Sequence, residues 1–219
     1  MPDTDPMNVK QAIVRQLEDS KLVPVIVLDR AEDASPLAEA LIAGGLPVAE
    51  VTMRTSAALD AMKEISKYPE VLLGAGTVCT ARQVDQAVDC GAKYIICPGM
   101  HDEVVVRCQE LDVLVIPGVI TPSDIARAMD HGLDLVKFFP AEAFGGAKTL
   151  KAMAAPYGDM KFVPTGGINA GNVMDYLSMP SVSACGGSWM VDSSLIQAGD
   201  FSEIESRVRD AVKLVQGTI

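Results

Sequence analysis

A lone lysine interrupts the apolar run Leu135 Val136 Lys137 Phe138 Phe139 Pro140, which otherwise has the composition of a strand buried on both faces. Taking an ammonium out of water is costly, and a buried lysine without a partner tends to shed its proton. The amine that results is a nucleophile toward carbonyl carbon, the chemistry of Schiff-base enzymes. The competing reading is a salt-bridged lysine, or one at a strand end whose ammonium reaches water along the apolar stem.

A second polar set is Glu50 Val51 Thr52 Met53 Arg54 Thr55. Period-two alternation puts Glu50, Thr52 and Arg54 on one face of a strand, so an inward-facing set would hold a carboxylate and a guanidinium together. Burial would favour the neutral acid, whereas Arg54 or a protonated Lys137 would favour the carboxylate. A purely structural internal ion pair is the alternative. A third set is two glycine pairs, Thr165 Gly166 Gly167 and Gly186 Gly187 Ser188. Both pairs expose backbone N–H groups, which hold an anion without basic side chains; each pair alone is equally a tight turn. In Gly74 Ala75 Gly76 Thr77 the threonine is a hydrogen-bond donor, since the glycines fall short of a dinucleotide or P-loop fingerprint. The two histidines, His101 and His131, lack metal-ligand spacing and are expected at the surface, so no metal site is expected.

The elements that must carry these groups repeat along the chain. Short β-rich runs occur at Pro24–Leu28, Val48–Thr52, Val71–Gly74, Tyr94–Cys97, Leu114–Ile116, Leu135–Phe138, Lys161–Pro164 and Val182–Cys185. Helical spacing recurs between them, as at Pro36–Ala43, Ala57–Lys67, Ala81–Asp89, Pro122–Met129 and Ala147–Ala154. Runs that are apolar on both faces and alternate with helices predict a parallel sheet covered by helices. Eight such units match a closed (β/α)8 TIM barrel, with an open doubly wound sheet as the alternative. Gly or Pro follows nearly every run, so the C-terminal strand ends and their loops are the expected place for chemistry. The spacing of Val9, Ile13 and Leu17 predicts an extra N-terminal helix over residues 7–19, placed to plug the bottom of the barrel. A last helix is expected at Ile204–Val215, and with no linker the 219 residues form a single domain, 1–219.

Composition narrows the partners. A net charge of −11 with no basic block argues against nucleic acid, and requires a local positive site for any anionic substrate. Cys79, Cys90, Cys97, Cys108 and Cys185 are odd in number and form no C-x-x-C pair, which fits buried thiols in a reducing cytoplasm. The acidic start has no signal-peptide pattern, and the apolar runs are too short for a bilayer, so no membrane partner is expected.

Together, Glu50 to Thr55, Gly74 to Thr77, Pro98 Gly99, Val136 to Glu142, Pro164 to Gly167 and Gly186 Gly187 Ser188 Trp189 closely resemble the 2-keto-3-deoxy-6-phosphogluconate aldolase family, which also acts on 4-hydroxy-2-oxoglutarate. The resemblance runs from about Leu22 to the C-terminal helix. It implies a trimeric barrel of the class I type that needs no metal or other cofactor. It implies Lys137 as the Schiff-base residue and Glu50 as the acid/base. Arg54 and Thr77 match the residues that hold the keto-acid carboxylate, Thr165, Gly166, Gly167, Gly187 and Ser188 the phosphate loops, and Pro98 and Phe139 the pocket wall. Val119, Ile120 and Phe144 depart from the family's pattern, which leaves the epimeric phosphogalactonate-derived substrate open. Outside the aldolases, the same residues fit a phosphate-binding isomerase or epimerase with a non-covalent lysine, or a sugar-phosphate binding protein without turnover.

Overall fold

The computed structural model describes residues 6–217. Its strands are β1 (Leu22–Ile26), β2 (Val48–Thr52), β3 (Leu72–Gly76), β4 (Tyr94–Ile96), β5 (Leu114–Ile116), β6 (Gly118–Val119), β7 (Leu135–Phe138), β8 (Lys161–Phe162) and β9 (Cys185–Gly187). Its helices are α1 (Pro6–Ser20), α2 (Ala34–Ala43), α3 (Ala58–Ile65), α4 (Ala81–Asp89), α5 (Asp102–Glu110), α6 (Pro122–Asp130), α7 (Gly146–Ala154), α8 (Val173–Leu177), α9 (Ser193–Ala198) and α10 (Phe201–Gln216). The apolar runs become strands because Val, Ile and Leu fill both faces of a sheet that helices cover.

All strand pairings are parallel. One sheet runs β5-β4-β3-β2-β1-β9 and a second runs β6-β7-β8. The first sheet winds in one direction from β1 to β5, without the reversal of order that defines a doubly wound sheet. The two sheets meet at both edges. Only Pro117 separates β5 from β6, and proline has no N–H to add to the ladder; its carbonyl accepts from the Lys137 N–H at 2.8 Å. At the other edge isolated bridges pair Phe162 with Val182 and Thr165 with Gly186, and the Gly186 N–H donates to Pro164 O at 2.9 Å. The result is a curled parallel sheet with helices between its strands. The strand expected at Leu114–Ile116 is present, a short unexpected strand follows Pro117 at Gly118–Val119, and the last strand starts at Cys185, three residues later than expected.

Large and small side chains interlock within the sheet. Tyr94 on β4 is fully buried, and its ring occupies the space beside Gly74, where an added Cβ would lie 2.2 Å from it. Its hydroxyl donates to Ala49 O at 3.1 Å, which satisfies the one polar atom of an otherwise apolar filler. In α1, Ile13 and Leu17 are buried as expected, whereas Val9 is 48% exposed. Helix α1 lies across the N-terminal ends of β5 and β7, where Val14, Leu114 and Leu135 line one groove. The polar and glycine-rich ends are on the opposite side.

Candidate active site

Strand β7 delivers Lys137 into the interior, where it is 4% exposed. Strand β2 delivers Glu50, 1% exposed, and Lys137 Nζ donates to Glu50 Oε1 at 3.2 Å. Glu50 reaches across β3 because residue 76 is glycine: a Cβ there would lie 2.3 Å from Glu50 Oε1. The other oxygen, Oε2, is buried with no hydrogen-bond partner among the described residues. A buried carboxylate keeps one oxygen for the ammonium and has one left to accept or deliver a proton. Below the pair, burial and the neighbouring Glu50 carboxylate push the Tyr94 hydroxyl well above its ordinary range.

Arg54 does not sit where the alternation of β2 suggested. The strand ends at Thr52, whose hydroxyl donates to Ile26 O at 2.8 Å and so ties β2 to β1. Beyond it the chain turns, and Arg54 is exposed rather than paired with Glu50. Its Nε donates to Thr77 Oγ1 at 3.1 Å. Thr77 sits at a φ of 57°, a costly region for a β-branched residue. The structure therefore brings Arg54 and Thr77 together, at the rim.

Phe139 links the amine to the cavity: Lys137 Nζ lies 5.1 Å from the centre of its ring. The cavity, about 350 Å³, is lined by Phe139, Arg54, Thr165, Gly166, Gly167, Gly187 and Ser188 among others. Gly166 and Gly167 have φ values of 102° and 80°. Their carbonyls are both taken: Gly166 O accepts from the Glu142 N–H at 3.0 Å, and Gly167 O accepts from the Asn169 and Asn172 side-chain amides at 3.2 and 3.1 Å. The N–H groups of Gly166, Gly167, Ile168 and Ser188, and the Ser188 hydroxyl, have no protein acceptor among the described residues. Successive free N–H groups of this kind form an anion-binding nest.

The second glycine pair has a different reason to be glycine. Gly186 and Gly187 lie within β9, where Cβ atoms would come within 2.3 Å of Thr165 Oγ1 and 1.9 Å of the Trp189 ring. They give close approach rather than free N–H groups. Pro98 stands outside the cavity lining, pressed against Gly118, where a Cβ would lie 2.3 Å from its carbonyl oxygen. Sequence reasoning missed the apolar wall of Val25, Val27 and Val191, although the alternation Val25, Val27 was a usable signal. It also missed Asp192, whose carboxyl the Ser194 hydroxyl and N–H hold below the usual range while it caps α9.

The remaining candidates for chemistry stand apart. Burial pushes the Cys97, Cys108 and Cys185 thiols up, which keeps them as inert hydrophobes. His101 and His131 are half-buried, and His131 Nε2 lies 3.1 Å from Asp102 Oδ1. Among the described residues no group of three or more His, Cys, Asp or Glu could hold a metal ion, and no helix is long and apolar enough to cross a membrane.

A parallel α/β fold that buries an amine against a carboxylate, beside a cavity walled by free N–H groups, has the groups of an enzyme for anionic carbonyl compounds. The profile of the KDPG and KHG aldolase family matches residues 13–207. The chain belongs to that family. It is 44% identical over 207 residues to the 2-dehydro-3-deoxy-phosphogluconate aldolase of Haemophilus influenzae, covering 94% of this chain and 98% of the relative. It is 43% identical over 207 residues to the KHG/KDPG aldolase of Escherichia coli K12, covering 94% and 97%. The crystal structure of KDPG aldolase from Legionella pneumophila, with pyruvate captured as a covalent carbinolamine intermediate, superposes with a TM-score of 0.86 at 41% identity and covers 95% of this chain and 98% of that one.

Proposed function

We propose that this protein is a class I aldolase that reversibly cleaves 2-keto-3-deoxy-6-phosphogluconate to pyruvate and glyceraldehyde 3-phosphate, and that 4-hydroxy-2-oxoglutarate, giving pyruvate and glyoxylate, is a second substrate. The observation that carries the residue assignment is the buried Lys137 amine 3.2 Å from Glu50. Glu50 takes a proton from the Lys137 ammonium, and the amine so freed attacks the C2 ketone; an N–H proton passes to the new alkoxide, giving the carbinolamine. Glu50 then returns its proton to the carbinolamine hydroxyl, which leaves as water and generates an iminium. The iminium accepts the electron pair of the C3–C4 bond as it breaks, while Glu50, directly or through a water, removes the C4 hydroxyl proton. Protonation of the enamine at C3 and hydrolysis release pyruvate and restore Lys137. The electron sink is the iminium itself, so no cofactor is needed.

Arg54 and Thr77 bind the keto-acid carboxylate at the rim and orient C2 toward the amine, a task suited to the flat fork of a guanidinium. Gly166, Gly167 and Ser188 receive the phosphate, with Thr165 and Gly187 shaping that wall; the free N–H groups supply positive potential that an acidic protein otherwise lacks. Phe139 spans the two ends of the substrate, and Pro98 braces β6 through Gly118. The bridges at one edge and the one-residue step at Pro117 at the other support one closed (β/α)8 barrel spanning 1–219 as a single domain, with the 7–19 segment as its extra helix. Five free cysteines, four of them buried, support a cytoplasmic location. The homotrimer is carried by the family resemblance.

The deciding experiment is borohydride reduction in the presence of pyruvate, followed by peptide mass spectrometry. A reduced pyruvyl adduct on Lys137 is the expected result. A folded protein left unmodified would overturn the covalent mechanism.

A further inference from the structure

The Gly166–Gly167 loop is supported from beneath by a residue of the preceding unit. Glu142 follows β7, and its N–H donates to Gly166 O at 3.0 Å while the neighbouring Ala141 N–H donates to Thr165 O at 2.8 Å. Its Cβ and Cγ lie directly under Gly167, where an added Cβ would come within 2.6 and 2.7 Å of them. The carboxylate accepts a hydrogen bond from the Tyr176 hydroxyl. Tyr176 lies on α8, the short helix that the glycine loop leads into, and is fully buried. The carboxylate also faces the start of α7, whose N-terminal partial charge favours an anion. One hydrogen bond thus closes a ring from Glu142 through the glycine loop, Asn169, Asn172 and α8 back to Glu142.

We propose that Tyr176 and Glu142 form a positioning pair that sets the shape of the Gly166–Gly167 anion nest, and thereby the enzyme's affinity for the phosphorylated end of its substrate. The inference rests on the aldolase reading above. Neither residue lines the cavity or contacts Lys137 or Glu50, so the pair acts on phosphate through the loop and leaves the amine chemistry alone. Without the tyrosine hydroxyl the Glu142 stem is free to change rotamer, and Gly167 loses the surface it rests on. Burial and the adjoining Glu142 carboxylate keep the Tyr176 hydroxyl protonated, so it remains a donor across the working pH range.

The test compares wild type with Tyr176→Phe, Glu142→Ala and Glu142→Gln. Three readouts are taken: KM and kcat for the phosphorylated substrate, the inhibition constant of inorganic phosphate, and the rate of deuterium exchange into the methyl group of pyruvate. That exchange reports enamine formation on Lys137 without any phosphate. Tyr176→Phe and Glu142→Ala are expected to raise KM and the phosphate inhibition constant about tenfold, the scale of one buried hydrogen bond. Exchange stays within about twofold of wild type, since a hydrogen bond remote from the amine contributes little there. Glu142→Gln keeps an acceptor for the hydroxyl and should restore phosphate affinity. It also separates position from charge, because a purely electrostatic role for Glu142 would make the glutamine variant bind phosphate more tightly than wild type.

Unchanged phosphate inhibition in Tyr176→Phe and Glu142→Ala would overturn the proposal, as would a glutamine variant as impaired as the alanine, or exchange falling in step with phosphate affinity. If Tyr176→Phe does not fold, the two Glu142 variants decide the matter alone. Wild-type protein that fails to exchange pyruvate would count against the aldolase reading itself. Exchange in wild type with indifferent variants would count against the positioning pair only.

Discussion

The two halves of the site are built from opposite materials. The amine half, from β2, β3 and β7, buries two ionisable side chains against each other and leaves one carboxylate oxygen unpartnered. The nest half, after β8 and β9, exposes uncharged N–H groups by tying up the carbonyls of the same peptides. Buried charges are expensive and few, so the amine half concentrates its chemistry in atoms that no other residue replaces. Backbone dipoles cost little to present and act as a group, so the nest spreads its binding over several residues. Substitutions in the first half should therefore lower kcat, and those in the second should raise KM.

The most severe break falls on Lys137. Lys137→Arg keeps the positive charge beside Glu50, but a guanidinium stays protonated and forms no Schiff base. All detectable turnover and all borohydride trapping should be lost while phosphate binding, measured as protection against thermal unfolding, persists. Retained aldol cleavage in this variant would remove Lys137 from the mechanism. Glu50→Gln comes next: kcat should drop by roughly two to four powers of ten, the usual worth of general acid–base catalysis, with keto-acid binding largely intact. Steady-state kinetics with full turnover would exclude Glu50.

Two alanines sharpen the contrast because each replaces a glycine, one in each half. Gly76→Ala places a Cβ 2.3 Å from Glu50 Oε1 and must push the carboxylate off the amine. A displacement of that order at a catalytic group lowers kcat by about a hundredfold, with little change in KM expected. Gly166→Ala forces alanine to a φ of 102° with Pro140 Cα and Ala141 N at 3.2 and 3.3 Å. Strain of roughly 1–2 kcal/mol in the loop corresponds to about a tenfold rise in KM for the phosphorylated substrate. Pyruvate exchange should separate the two variants cleanly: slow in the first, normal in the second. The reverse pattern would dissolve the division between halves.

That division was only partly legible in the amino-acid sequence. Lys137 and Glu50 announced themselves as charges in apolar runs, because burial is written in composition. Their pairing was one of two readings, Lys137 or Arg54 beside Glu50, because alternation along β2 put Glu50 and Arg54 on one face and says nothing once the chain turns after Thr52. The glycine pairs were visible as punctuation, but the same residue serves left-handed φ at 166 and 167 and close approach at 186 and 187. Proline at 117 could be read as a strand end, and it is one, but the chain pairs again at once, with β7 instead of β4, from Gly118. The Tyr176–Glu142 contact joins residues 34 positions apart and left no local trace.

A substitution touching neither half tests whether these effects are local. Helix α6 opens with a capping box in which Asp124 N–H donates to Thr121 Oγ1 at 3.2 Å and Thr121 N–H to Asp124 Oδ2 at 2.9 Å. Thr121→Ala should cost about 1 kcal/mol of stability, the typical worth of an N-cap, in a urea or thermal melt. It should leave kcat and KM within error. Partial burial raises the Asp124 carboxyl, but the Ile120 and Thr121 N–H groups and the Thr121 hydroxyl outweigh it and hold the group below its ordinary value. A depressed carboxyl contributes stability fully above its unfolded value and loses it as pH falls through the folded one. The stability difference between wild type and Asp124→Asn should therefore be greatest near neutral pH and shrink below about pH 4, the ordinary aspartate range. A difference that instead grew on acidification would mean that the cap is held by the neutral acid, and a loss of activity in Thr121→Ala would mean that the loop after β6 belongs to the amine half.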